Sequence, residues 1–171
     1  MTPLHSTPAI ALTALCHEFC LAVDAVSETV PVDFARSMLG LLPRIYITAF
    51  GITPMSDEDF IPAALSEDEY ETVRERLASV FGENDTFLEP FHEDMKFSET
   101  PIASSLSELL ADLYQVFYDF TAIVRQLPAD SLGETVSDMA TRFREYWSET
   151  LCNAMRVINH LYMNDRFSYE S

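Results

Sequence analysis

Four long apolar stripes recur at helical spacing along this chain, and no segment alternates apolar and polar residues over the length of a strand. The last stripe shows the pattern best. Leu132, Val136, Met139, Phe143, Trp147, Leu151, Met155, Ile158 and Leu161 follow one another in steps of three and four. Such spacing lines one side of a helix with side chains that must be covered by another element. Leu12, Leu15, Cys16, Phe19, Ala22, Val23 and Val26 form the first stripe, and Phe34, Met38, Leu41, Leu42, Ile45 and Ala49 the second. Ile102, Leu106, Leu109, Leu113, Val116, Phe117, Phe120, Ile123 and Val124 form another. A shorter one holds Tyr70, Val73, Leu77, Val80 and Phe81. There is no hairpin dipeptide such as Asn-Gly and no internal repeat. The predicted fold is therefore all-α, an antiparallel helical bundle of about five helices. One domain spans residues 1–171, with residues 1–7 and about seven C-terminal residues flexible, the tail fraying after Asn164.

Local signals set the expected boundaries. Thr7-Pro8, Val30-Pro31 and Thr100-Pro101 each offer a first-turn proline, twice with a hydroxyl cap before it. Ser66 and Glu69 have capping-box spacing, and Gly51 and Gly82 stand where helices should stop. Pro43 lies inside the second stripe and predicts a kink. The final helix is expected to open at Ser131 and to run without interruption.

Charge narrows the functions open to such a bundle. The chain has 171 residues, 28 acidic and 10 basic, a net charge of −18. Nucleic acid and anionic membranes both require cations, so neither is an expected partner. The apolar content of 48% is too high for an acidic disordered segment. No apolar run reaches the length of a membrane span. Ala9 to Cys16 is apolar and ends in cysteine, but no Lys or Arg precedes it and Leu15 occupies the position of a small residue, so a lipoprotein signal is not expected. Three cysteines with no regular framework suit a reducing cytoplasm. Cys16 and Cys20 read as small hydrophobes on the apolar side of the first helix.

The charge is concentrated. Residues 57–99 hold fourteen acidic and three basic residues, a net of −11. Within them, residues 83–99 fit no period yet carry Phe87, Leu88, Phe91, Met95 and Phe97 among carboxylates. This reads as one long ordered acidic loop pinned by aromatic anchors, and such loops are often functional. Two chemistries suit it. Glu83, Asp85, Glu89, His92, Glu93 and Asp94 crowd possible ligands into twelve positions, with Glu89, His92, Glu93 and Asp94 the candidate set for a divalent metal. Pro90 between Glu89 and His92, and the lack of a second Glu-x-x-His, argue against a di-iron site. Alternatively, Asp85, Phe91, His92, Asp94 and Phe97 are candidate contacts for a partner protein. Elsewhere, Glu108, Asp112 and Asp119 share one stripe and read as an ordinary wet face. Arg142 with Glu145 and Glu149 reads as surface ion pairing. Tyr114, Tyr118, Tyr146 and Trp147 read as core or core-edge aromatics.

The run from Phe91 to Gln115 resembles the signature of a bacterial domain-of-unknown-function family. The Phe19-Cys20 pair, the Leu41-Leu42-Pro43 step, Trp147 and the segment Leu151–Ala154 are similar as well, so the resemblance covers most of residues 10–160. It implies a small, acidic, helical bacterial protein and supplies no activity, ligand or catalytic residue.

The expected function is thus a non-enzymatic module that binds a basic protein through the acidic face of residues 57–99, with no cofactor. The alternative is a metal-dependent or small-molecule enzyme with its site in the loop at 83–99. Self-association into a homo-oligomer is a third reading.

Overall fold

The structure, a computed structural model, describes residues 7–55, 61–88, 103–128 and 132–167. It is all-α apart from one short strand pair. The elements are α1 (Thr7–Asp24), α2 (Pro31–Phe50), α3 (Glu67–Phe81), β1 (Thr86–Leu88), β2 (Ala103–Ser105), α4 (Leu106–Val124), α5 (Leu132–Arg142) and α6 (Ser148–Met163). A 3-10 turn at Val26–Glu28 follows α1, and another at Gly82–Asp85 follows α3. The expected openings at Thr100-Pro101 and Ser131 lie outside the described residues.

Helices α1, α2, α6 and α4 close a ring, each packed on the next, and α3 leans on α4 and touches α1. The apolar stripes meet inside the ring, where Leu12, Phe19, Phe34, Met38, Leu42, Ile45, Phe117, Phe120, Phe143 and Trp147 are all but inaccessible. An unbroken run of edge-on aromatic contacts crosses this core. Phe19 of α1 meets Phe117 of α4 at 5.0 Å, and Phe117 meets Trp147 at 5.2 Å. Trp147 meets Phe143 at 4.7 Å, and Phe143 meets Tyr46 of α2 at 5.0 Å. Edge-to-face pairs add about 0.5–1.5 kcal/mol each beyond the area they bury.

The long final helix differs from expectation. Between α5 and α6, residues Phe143–Trp147 form a π-helical segment, in which Ser148 N–H bonds the carbonyl of Phe143 five residues back. The apolar stripe explains it. From Met139 to Leu151 every step is four residues, which on an α-helix rotates the stripe by about 40° per step. One wide turn takes back most of that drift and keeps Met139, Phe143, Trp147 and Leu151 aimed at the same core.

Helix ends follow local chemistry. α2 runs unbroken through Pro43. Gly51 closes it with ordinary right-handed dihedrals, so that glycine meets no conformational demand there. Gly82 does meet one: its φ of +54° lies where a side chain would be strained. The capping box at Ser66 and Glu69 forms as the spacing predicts, with bonds of 3.1 Å in each direction. At the end of α6, Asp165 adopts a φ of +55°. Arg166 N–H then reaches the carbonyl of Leu161 and Asp165 N–H that of Tyr162, which is a Schellman turn built on aspartate instead of glycine. The turn brings Phe167 back onto Phe81, buried, so packing extends three residues past Asn164.

Side chains of α4 and α5 nail down the connection between α2 and α3. Ser137 Oγ accepts from Met55 N–H at 2.7 Å, and Arg142 donates to the carbonyl of Ile61 at 3.3 Å. Asp119 Oδ1 accepts from both Ala64 and Leu65 N–H at 2.9 Å. Two expectations are corrected here. Asp119 is 9% exposed and does not belong to a wet face. Arg142 pairs through Nε with the buried Asp138 at 3.0 Å, one turn back, and serves the α2–α3 connection through Nη2.

Candidate functional site

Of the residues that the sequence nominates for partner contact, Asp85 alone is described; Phe91, His92, Asp94 and Phe97 lie outside the described residues, as do the metal candidates Glu89, His92, Glu93 and Asp94. The structure gives Asp85 an internal role. Its Oδ1 accepts from Ser107 N–H at 2.7 Å, and its Oδ2 accepts from the hydroxyls of Ser107 at 2.7 Å and Ser105 at 3.1 Å. Ser105 Oγ in turn accepts from Glu108 N–H at 3.2 Å as the cap of α4. A carboxylate therefore faces the free amides at a helix start, where negative charge is favoured. Beside it, Thr86, Phe87 and Leu88 pair antiparallel with Ser105, Ser104 and Ala103. α4 thus begins five residues later than Thr100-Pro101 suggests. The Ser105-x-x-Glu108 spacing was the signal for it. Asp85→Ala is expected to cost about 2 kcal/mol, since it strips a charged acceptor from part-buried donors. Urea denaturation measures this, and an unchanged midpoint would remove the clamp from the account.

The acidic face itself is carried by α3. Its apolar stripe, Val73, Leu77 and Phe81, is buried against the bundle. That orientation leaves Glu67, Asp68, Glu69, Glu71 and Glu75 exposed. Hydrogen bonds from Ser66 hold the Glu69 carboxyl below its ordinary value. Arg74 pairs with Glu71 at 2.9 Å. Between α3 and the end of α1 lies an open groove of about 270 Å³, bordered by Asp24, Asp68, Glu69 and Arg76 and floored by Leu65 and Tyr114. Tyr114 donates to Asp24 at 2.8 Å, which fixes that carboxylate at the groove's edge. Asp24 and Tyr114 are the groove residues that sequence reasoning missed, because they come from stripes of other helices.

The same face continues on the other side of α3. Tyr70 donates to Asp112 of α4 at 2.6 Å. Burial pushes the Asp112 carboxyl up, the Tyr70 hydrogen bond opposes this, and the charge of Glu108 adds to it. Burial also raises the Tyr70 and Tyr146 phenols, and the carboxylate of Asp112 adds to both. Tyr146, in the π segment, is 50% exposed and is not a core residue.

Cys16 and Cys20 are not poised for chemistry. Burial pushes the Cys16 thiol well up, and the charge of Cys20 adds to it. The Cys20 thiol is pushed up to about 12 by burial first and the charge of Asp24 second, with Arg125 opposing. Both are protonated at neutral pH and pack as small hydrophobes. Among the described residues, no group of three or more His, Cys, Asp or Glu side chains is placed to hold a metal ion. No helix among them is long and apolar enough to cross a membrane.

Among the described residues, these features define a ring of α1, α2, α4 and the continuous α5–α6 helix, with α3 laid over it and a carboxylate-rich groove beside α3. The chain belongs to the family described as domain of unknown function DUF5063, whose model matches residues 4–164. The crystal structure of protein BF1032 from Bacteroides fragilis has a similar fold, with a TM-score of 0.77 over 91% of this chain and 92% of that one, at 24% sequence identity. No curated protein matches the sequence.

Proposed function

We propose that the protein is a non-enzymatic, cytoplasmic binding module that engages a basic protein through the acidic face of α3. The observation that carries this reading is the groove edged by three carboxylates, Asp24, Asp68 and Glu69, against one cation, Arg76, with the exposed Glu67, Glu71 and Glu75 on the same helix. A groove of about 270 Å³ with a tyrosine and a leucine at its floor suits the stem and charged head of an arginine or lysine. The surrounding carboxylates would steer a cationic surface towards it and set the salt dependence of the encounter. The raised thiols of Cys16 and Cys20 support a structural reading of those residues.

A panel of Lys- and Arg-rich helical peptides, followed by fluorescence anisotropy, tests the proposal. Micromolar binding that weakens with ionic strength is expected. The combined Asp24→Asn, Asp68→Asn and Glu75→Gln variant should bind about tenfold more weakly, as expected from losing about 1.4 kcal/mol over three partly screened charges. Equal binding by both proteins would sink the assignment of this face. A stoichiometric transition metal in the purified protein, lost in His92→Ala, would instead favour the metal-dependent alternative.

A further inference from the structure

Cations are scarce in this chain, with ten Lys and Arg in all. Two of them, with a histidine, border one cleft on the far side of the α3 C-terminus. Arg156 and His160 stand one turn apart on α6, Arg166 follows the Schellman turn, and Asn84, Thr86 and Phe87 form the opposite wall. The cleft measures about 260 Å³ and its base is Val157 and Leu161. Among the described residues, neither Arg156 nor Arg166 is ion-paired, although 28 carboxylates are available in the chain.

The Arg156 side chain is positioned and does not merely share a surface, and the backbone of Arg166 is fixed beside it. The Arg156 guanidinium lies over the Phe87 ring at 5.7 Å, which orients it while leaving its edge N–H groups free. Arg166 is held by its own backbone: Asn84 Nδ2 donates to its carbonyl at 3.3 Å, and its N–H is fixed to Leu161. The negative end of α6 accounts for cations in its last turn only, since that effect fades within a turn. Arg156 is seven residues before the end of α6 and needs another reason.

We infer that this cleft binds a small phosphate monoester. Two guanidiniums and an imidazole suit a compact dianion, because arginine matches phosphate oxygens with paired N–H donors. Val157, Leu161 and Phe87 give the apolar part of the ester a wall to lie on. Glu83 also lines the cleft, and its charge opposes any anion there, a polyanion most of all. The inference is independent of the protein-binding role proposed for the groove beside Asp24.

Titration of the protein with phenyl phosphate and with inorganic phosphate, followed by the arginine side-chain resonances in NMR, tests it. Phenyl phosphate should shift the Arg156 and Arg166 signals saturably, with a Kd of about 1 mM or tighter. The double variant Arg156→Gln, Arg166→Gln should weaken this by about tenfold or more, while Arg125→Gln at the end of α4 should not. Both arginines of the cleft are exposed, so the double variant should keep its fold, checked by its unchanged amide spectrum. Absence of a saturable shift, or equal loss in Arg125→Gln, would overturn the site. Equal affinity for the two probes would overturn the ester assignment.

Discussion

Replacing Trp147 by alanine should lower the unfolding free energy by about 4 kcal/mol, in the range for truncating a buried large aromatic residue. Trp147 is wholly buried at the centre of the aromatic run, in edge contact with both Phe117 and Phe143. Its indole N–H donates to the carbonyl of Met139 at 3.3 Å. The truncation therefore removes apolar burial, opens a cavity where α4 meets the π segment, ends two ring contacts and leaves a buried carbonyl without this donor. Domains are stable by only about 5–15 kcal/mol, so this single change consumes a large share. At about 2–4 °C per kcal/mol for a chain of this size, the midpoint should fall by about 10 °C. Trp147→Phe separates the contributions. It keeps most of the ring packing and loses the N–H, so its cost should be about 1–2 kcal/mol. Thermal unfolding by circular dichroism reads both. If the alanine variant melts within a degree or two of the parent, the aromatic run does not organise the core.

Asp119→Ala should have the second largest effect, about 3 kcal/mol. Its Oδ1 takes two backbone N–H groups at once, from Ala64 and Leu65 at 2.9 Å each. Hydrogen bonds to a charged group are worth about 1.5–3 kcal/mol, and a buried donor left without a partner costs its full desolvation. Leu65 itself is buried, so water cannot readily replace the lost acceptor there. Asp119→Asn keeps an acceptor oxygen and gives up the charge, so it should cost about half as much. Hydrogen exchange at the Leu65 amide locates the damage. Exchange there should accelerate in Asp119→Ala well before global unfolding, because the residues leading into α3 lose one of their anchors. An alanine variant as stable as the parent would mean that Asp119 is no anchor.

The same carboxylate shows where the sequence stops being informative. Glu108, Asp112 and Asp119 fall on one stripe of α4, and amphipathic logic assigns such a stripe to water. Glu108 is indeed exposed, but α3 and its lead-in cover the rest, using Asp112 as the acceptor for Tyr70 and Asp119 as the acceptor for two amides. Nothing near Asp119 in sequence announces a partner more than fifty residues upstream. The stripes themselves, the capping box at Ser66 and the buried Cys16 were legible, because each depends on spacing within a few residues. The strand pair was not, since three residues are too few to display alternation. The π segment was legible in principle, in the four-residue steps from Met139 to Leu151. Of the acidic face, the sequence located α3, while the groove needed Asp24 and Tyr114 from two other helices.

The strand pair has a consequence for how such a chain can vary. Leu88 stands opposite Ala103, so the fourteen residues between them leave and return at adjacent points, with Asp85 locking the exit to α4. The strand pair holds the two ends of that stretch together. Doubling the length of a closed segment costs only about 0.6 kcal/mol in chain entropy. Inserted or exchanged sequence at this place should be tolerated by a helical scaffold that stays the same. An engineer could graft a foreign peptide at the same junction.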